Sequence, residues 1–157
     1  MTQITEGNAA PDFSLPADSG GTVTLSELKG KIVVLYFYPK DDTSGCTAES
    51  VDFSALQAEF DEAGASVVGI SPDSAKSHDK FKAKHGLSVI LASDEEKSTL
   101  EAYGVWTEKS MYGRKYMGVE RTTVLVGPDG KVRQVWPKVK QHCPKHTPKI
   151  YHGHLRT

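Results

Sequence analysis

The stretch IVVLYFY, residues Ile32–Tyr38, decides the fold. It is an unbroken run of aliphatic, β-branched and aromatic residues, and no polar residue interrupts it. A continuous run of this length is typical of a strand that is buried on both faces, as in a parallel sheet. Pro39 ends the run because proline has no N–H for a sheet ladder. The sequence therefore predicts a central strand with chain packed against both of its faces.

Helical and strand patterns alternate after this strand, and a hairpin closes the series. The predicted elements are a helix after Gly45 that ends at Gly64, a strand over Ser66–Ile70, a helix over Ser74–Lys84, a strand over Leu87–Leu91, a helix from Asp94 to Tyr103, and strands over Thr122–Val126 and Lys131–Trp136. The last two are joined by Gly127-Pro128-Asp129-Gly130, a strong turn signal. This order predicts an α/β protein with a mixed central β-sheet and helices on both faces, which is the thioredoxin-like fold.

Composition and charge exclude several classes of protein. The 157 residues are 38% hydrophobic and 25% charged, with a formal net charge of −1. No apolar run approaches the ~20 residues that span a bilayer, and residues 1–8 lack the pattern of a secretory signal. We expect a cytoplasmic, monomeric protein that binds neither nucleic acid nor membranes.

The C-terminal end differs in composition from the rest of the chain. Residues 138–157 contain five lysines and arginines, no acidic residue and four of the six histidines. They also contain Pro144 and Pro148 and have no apolar periodicity. We predict one domain over residues 1–140, followed by a basic, histidine-rich and loosely ordered tail over residues 141–157.

Cys46 is the candidate for chemistry. It follows a buried strand, a loop and Gly45, and it lies at or within one turn of a predicted helix N-terminus. Free backbone N–H groups and the helix dipole stabilise an anion there. Cysteines in such positions have pKa values lowered to roughly 3.5–7.5, against ~8.5 for a free thiol. The alternative, an inert buried thiol, is common for free cysteines in general.

Thiolate formation alone does not give fast chemistry, because nucleophilicity falls as the pKa falls. A lower pKa raises the fraction of thiolate at pH 7 but lowers the reactivity of each thiolate, so the net gain in reaction rate is only ~2-fold. Hydrogen-bond donors near the sulfur must therefore supply most of the acceleration. Thr43 lies three residues before Cys46, and Arg121 stands at the start of a predicted strand with a guanidinium that can hold two anionic atoms. Pro39 can shield the pocket.

The segment Pro39–Cys46 resembles the P-x-x-x-T-x-x-C signature of peroxiredoxins. Together with Tyr36–Tyr38, Thr47–Glu49, Lys109–Gly118 and Glu120–Thr123, it is similar to the bacterioferritin comigratory protein (PrxQ) branch of that family. The resemblance covers roughly residues 4–140 and implies a thiol peroxidase that reduces hydrogen peroxide and organic hydroperoxides.

The resemblance also implies a role for each matching residue. Cys46 would be the peroxidatic cysteine that becomes a sulfenic acid. Thr43 and Arg121 would position the peroxide, and Pro39 would limit the access of solvent. The resemblance implies no metal, haem or flavin cofactor.

The sequence departs from this branch at the resolving cysteine. Many members carry it five residues after the peroxidatic one, where this chain has Val51, and others carry it in the next helix, where this chain has Lys82. The remaining candidate is Cys143, which six residues of chain after Pro137, spanning up to ~20 Å, could bring to Cys46. We favour one-cysteine behaviour, in which an external thioredoxin-like or small-thiol reductant recycles Cys46.

Three other interpretations remain open at this point. A thiol–disulfide oxidoreductase of the same fold would need a Cys-x-x-Cys pair, but residue 49 is Glu. A binding protein with vestigial catalytic residues would keep its activity after Cys46→Ser. A zinc module centred on the tail has histidine and cysteine spacings that fit no standard finger.

Overall fold

A computed structural model of the chain describes residues 5–39, 41, 44–62 and 64–136. The described elements include nine strands and four α-helices, with short 3-10 helices at Asp18–Gly20 and Leu25–Leu28. In chain order they are β1 Ser14–Pro16, β2 Thr22–Thr24, β3 Ile32–Phe37, α1 Ser44–Ala55, α2 Gln57–Glu62, β4 Ala65–Ser71, α3 Ala75–His85, β5 Ile90–Ser93, α4 Ser98–Ala102, β6 Trp106–Met111, β7 Arg114–Val119, β8 Thr122–Val126 and β9 Val132–Trp136.

The central sheet is mixed and has the strand order β5-β4-β3-β8-β9. Strands β3, β4 and β5 run parallel, and β8 and β9 are antiparallel to their neighbours. The predicted central strand is confirmed, since every residue of β3 is buried. The predicted hairpin is confirmed as β8 and β9.

Side chains of the central sheet point alternately into two separate cores. One face carries Val34 and Tyr36 and packs against Phe53, Phe60 and Phe81 of α1, α2 and α3. The other face packs against the β1–β2 hairpin, α4 and the residues before β6. The core formed there includes Phe13, Leu15, Leu35, Phe37, Leu100, Tyr103 and Val105. The predicted arrangement, a mixed sheet with helices on both faces, is confirmed.

Two predicted helices differ from the structure. The helix after Gly45 is divided at Leu56, whose N–H bonds to the Phe53 carbonyl three residues back. This tighter turn interrupts the α-helical hydrogen-bond pattern between α1 and α2. The helix expected from Asp94 begins only at Ser98, because Lys97 adopts a left-handed conformation with φ of 65°. Asp94 still caps it, since its Oδ2 accepts a hydrogen bond from the Leu100 N–H at 2.8 Å.

A second hairpin was not predicted as strands. Residues Trp106–Val119 form β6 and β7, joined by Tyr112 and Gly113 with φ values of 53° and 77°. The sequence indicates an apolar-rich loop that contains Trp106, Met111, Tyr112, Tyr116 and Met117. Two interpretations are local packing over the sheet, and a wall of the peroxide pocket or docking surface for a reductant. Packing over the sheet is wrong for Tyr112, Tyr116 and Met117, which are 96%, 44% and 49% exposed, whereas Trp106 packs against the core.

None of the helices among the described residues has the length and apolar character that crossing a bilayer requires.

Candidate active site

The backbone of Cys46 lies in the first turn of α1, at the carboxyl end of β3. The predicted placement of this residue at a helix N-terminus is confirmed. Tyr38 continues the ladder beyond β3, since its N–H donates to the Ile70 carbonyl at 3.1 Å, and the half-buried Pro39 then ends it. Thr43 lies outside the described residues.

Helix α1 is fixed to the sheet by Tyr36. Its ring stacks on Phe53 with a centroid distance of 4.8 Å, and its hydroxyl is 2.9 Å from the hydroxyl of the buried Ser50. The ring also crosses β4 at Gly69, where an added Cβ would lie 2.5 Å from the Tyr36 Cζ. A glycine at this position therefore lets the Tyr36 ring reach the helix that carries Cys46.

Arg121 is placed by the register of β8 on β3. Phe37 pairs with Thr122 and Tyr36 with Thr123, so the next position along the ladder sets Arg121 opposite Tyr38. Residues opposite one another in a sheet share a face. Tyr36 and Tyr38 belong to the face that packs against α1. The half-buried Arg121 therefore lies at the edge of the sheet where α1 begins, on the side of α1.

A buried polar cluster stands beside this edge. The carboxylate of Asp41 accepts hydrogen bonds from Tyr38 Oη at 2.6 Å and from Ser77 Oγ at 2.8 Å. Its Oδ2 is also 2.8 Å from Nδ1 of His78, whose Nε2 is 2.9 Å from the Ala92 carbonyl oxygen. The sequence did not predict this cluster, which ties the segment before α1 to α3 and β5.

The sequence predicts His78 and His85 as surface residues of their helix, and this prediction is wrong for His78, whose side chain is fully buried. The sequence contains a signal for this burial, because His78 lies three residues before Phe81, an apolar residue that the same helical pattern predicts to point inward. Residues three apart on a helix share a face. His85, the other histidine of α3, is half-exposed.

Burial and charge shift the pKa values of two groups in this cluster. Burial raises the pKa of Tyr38, and the neighbouring Tyr36 and Asp41 raise it further. Burial alone would lower the pKa of His78, but the hydrogen bond and charge of Asp41, with smaller effects from Ala92 and Asp73, raise the pKa above its usual 6.5. His78 therefore favours its protonated form.

The two positions where relatives of this branch carry a resolving cysteine lie on α1 and α3. Val51 lies on α1 and is 41% exposed. Lys82 lies on α3, and its Nζ is 2.7 Å from Oδ2 of the buried Asp18. Cys143 and the tail lie outside the described residues.

A sequence profile described as the AhpC/TSA family matches residues 7–135. The chain belongs to this family. Residues 7–135 span the five-stranded sheet, the described helices and the three hairpins almost completely. The match thus covers the elements that position Cys46 and Arg121.

Among curated relatives, a putative peroxiredoxin bcp of Coxiella burnetii is 49% identical over 87% of this chain and 91% of its own length. A peroxiredoxin Bcp of Xanthomonas campestris is 51% identical over 89% of both chains. The solved bacterioferritin comigratory protein of Xanthomonas campestris has a TM-score of 0.87 and 42% identity, covering 98% of this chain and 96% of its own.

These similarities confirm the peroxiredoxin resemblance and its bacterioferritin comigratory branch. The chain is a thiol peroxidase of the peroxiredoxin class, with a hydroperoxide as substrate and a thiol as reductant.

Proposed function

We propose that Cys46 is the peroxidatic cysteine and that Thr43, Arg121 and Pro39 complete its site. The Cys46 thiolate attacks the terminal oxygen of a hydroperoxide, a sulfur–oxygen bond forms and the oxygen–oxygen bond breaks. The sulfur loses two electrons and becomes a sulfenic acid, while the other oxygen leaves with a proton as water or an alcohol. The register that sets Arg121 at the edge where α1 begins is the observation that carries this proposal.

Each remaining group has a distinct task in this reaction. The Arg121 guanidinium has several donors in a fixed plane, so it can contact the sulfur anion and a peroxide oxygen together. The Thr43 hydroxyl can donate to one peroxide oxygen and accept from the other. Pro39 offers no N–H and shields the site, which limits further oxidation of the sulfenic acid.

We propose that an external thiol, of the thioredoxin-like or small-molecule class, recycles Cys46. Val51 and Lys82 occupy the two positions where relatives of this branch carry a resolving cysteine, and neither is a thiol. Lys82 is engaged with Asp18 instead. Cys143 remains the one candidate for an internal resolving thiol, and mass spectrometry after treatment with hydrogen peroxide tests this role.

Organic hydroperoxides are proposed as substrates beside hydrogen peroxide. The solved Xanthomonas campestris relative is described by its alkyl peroxide reduction activity. A set of peroxides of increasing size, compared at equal concentration, measures the preference of this chain.

Mass spectrometry of the intact protein after one equivalent of hydrogen peroxide tests the assignment of the cysteines. The expected product is a sulfenic acid on Cys46, trapped by dimedone, in both the wild type and Cys143→Ser. Cys46→Ser should give no adduct and no peroxide turnover. A Cys46–Cys143 disulfide in the wild type would replace one-cysteine recycling by internal resolution, and full turnover by Cys46→Ser would contradict the whole assignment.

We also propose a cytoplasmic monomer with one domain over residues 1–140 and a separate tail over residues 141–157. Two cysteines, a net charge of −1 and a basic C-terminal end support this proposal. Size-exclusion chromatography with light scattering should give a mass near the 17.1 kDa of one chain. Limited proteolysis should first remove residues beyond 140.

A further inference from the structure

His78 belongs to a set of buried and half-buried polar groups, here called the Asp41 network: Tyr38, Asp41, Asp73, Ser77 and His78. The network joins β3, the segment before α1, the segment before α3, and α3 itself. Its side chains hold Asp41 in two ways. The carboxylate accepts hydrogen bonds within the network, and the Asp41 N–H donates to Asp73 Oδ2 at 2.8 Å.

Hydrogen-bond accounting sets the protonation of His78. Nε2 faces the Ala92 carbonyl oxygen at 2.9 Å, which can only accept. Nδ1 faces Asp41 Oδ2 at 2.8 Å, and the carboxylate already accepts from Tyr38 and Ser77. Several donors to one carboxylate favour its anionic form. An acceptor at each ring nitrogen suits the imidazolium form of His78, in which both nitrogens carry a proton.

The charged and titratable groups around the ring come from each neighbouring element. Tyr38, directly after β3, has its Oη 3.4 Å from Nδ1 and donates its O–H to Asp41 Oδ1. Asp73, from the segment between β4 and α3, accepts from Ser71 Oγ at 2.7 Å and lies near enough to favour the cation. Asp41 and Asp73 together supply negative charge, and His78 supplies the one positive charge within the network.

We propose that the His78 imidazolium is a positioning residue for the peroxidatic site. It acts through Asp41, which lies two residues after Pro39 and five before Cys46. By fixing the side chain of Asp41, His78 limits where the following residues of the chain can place the start of α1 relative to β3. This inference rests on the proposed role of Cys46.

Loss of the cation should therefore slow the reaction with peroxide without removing the thiol. A displacement of about 1 Å in a reacting group can cost about 100-fold in rate. We expect His78→Gln to lower the second-order rate constant for Cys46 oxidation about 10- to 100-fold. The matched control is His85→Gln, on the same helix and half-exposed, which should stay within about twofold of the wild type.

The pH profile separates positioning from a general loss of stability. Deprotonation of His78 removes the positive charge beside Asp41 and leaves one ring nitrogen without a proton against an acceptor, either Asp41 Oδ2 or the Ala92 carbonyl oxygen, so the wild-type rate constant should fall on the alkaline side. His78→Gln should lack that fall, because it has no titrating group at this position.

The test combines nitrogen-15 NMR of the full chain with single-turnover kinetics. The protein is labelled in its histidine rings, and the His78 signals are assigned by their loss in His78→Gln. At pH 7 both His78 nitrogens should be protonated, and their titration midpoint should match the alkaline fall of the rate constant. A neutral ring at pH 7, or a folded His78→Gln with wild-type kinetics, would overturn the proposal.

A second variant and an independent measurement support the test. If His78→Gln does not fold, Asp41→Asn replaces it, since it keeps the ring but removes its carboxylate. Asp41→Asn should lower the His78 midpoint and the rate constant together, and an unchanged midpoint would contradict the network. The NMR titration does not depend on peroxide chemistry, so failure of the Cys46 assignment, seen as turnover by Cys46→Ser, is distinguishable from failure of this inference.

Discussion

The guanidinium of Arg121 is the group whose geometry matters most to the proposed reaction. Its place depends on the register of β8, in which Thr122 faces Phe37 and Thr123 faces Tyr36. A lysine at this position would have a compact charge on a flexible side chain and would not provide two donors held in one plane.

We expect Arg121→Lys to lower the rate constant for peroxide reduction about 10- to 100-fold while the thiol stays intact. The reason is the loss of paired donors to the breaking oxygen–oxygen bond. Stopped-flow measurement of Cys46 oxidation checks this, and Arg114→Lys, in the exposed part of β7, is the matched control. Equal losses in the two variants would show that Arg121 has no special role.

Gly69 is the residue at which the packing of the site is least tolerant. An added methyl group would meet Tyr36 Cζ at 2.5 Å, and that ring holds Ser50 of α1. We expect Gly69→Ala to lower the free energy of unfolding by about 1–3 kcal/mol, measured by urea denaturation.

Gly21→Ala is the control for Gly69→Ala. No atom lies within 4 Å of an added Cβ at Gly21, and its φ of −86° suits any residue. Its stability should change by less than about 0.5 kcal/mol. If both variants cost the same, the contact with Tyr36 is not the cause.

At the residue scale the sequence pointed to Cys46, Arg121 and Pro39 but not to His78 or Asp41. The first group stands in a motif whose spacing is visible along the chain. His78 and Asp41 are 37 residues apart and meet only because α3 packs beside the end of β3. Such long-range polar contacts have no local signal, and only the spacing to Phe81 indicated burial.

Among the elements, α3 contacts the first 3-10 helix through Lys82, the position where some relatives carry a resolving cysteine. Asp18 binds Lys82 through Oδ2 and accepts from the buried Leu91 N–H through Oδ1 at 2.9 Å. The carboxylate thus connects the 3-10 helix Asp18–Gly20, α3 and β5.

We expect Asp18→Ala to cost about 1–3 kcal/mol of unfolding free energy, because it leaves the Leu91 N–H buried without its acceptor. Lys82→Ala should cost less than about 1 kcal/mol, since its side chain is 29% exposed and water screens the charge. Chemical denaturation of both single variants and the double variant measures the coupling. A larger loss for Lys82→Ala than for Asp18→Ala would contradict this account.

The elements differ in how far the sequence predicted them. β3, β4 and the β8–β9 hairpin have long apolar runs or a strong turn signal, and the structure confirms them. β6 and β7 carry mostly exposed side chains, so the contrast between their two faces is weak. The short α4 depends on a left-handed Lys97, which no simple pattern predicts.

The whole molecule should show a dependence of stability on pH that comes from the Asp41 network. The pKa of His78 is raised in the folded protein above its usual 6.5. A group of this kind stabilises the fold fully below its unfolded pKa, and this stabilisation is lost as the pH rises through the folded pKa.

We therefore expect the free energy of unfolding of the wild type to fall with rising pH from about 6.5, and His78→Gln to lack this component. Subtracting the two urea-denaturation series at each pH removes the contributions of the titratable groups that the wild type and His78→Gln share. A difference that is flat, or that grows with pH, would contradict a raised pKa for His78.

The position of Trp136 provides the molecule with an optical probe of its own chemistry. Trp136 pairs with Thr123, two residues from Arg121, and packs partly buried on the face that holds α1. Trp106, the other tryptophan, packs against the opposite core and has Lys97 Nζ 5.8 Å from its ring. In a Trp106→Phe background the remaining indole emission would report events at one edge of the sheet, so oxidation and recycling of the sulfur could be followed in real time without a label.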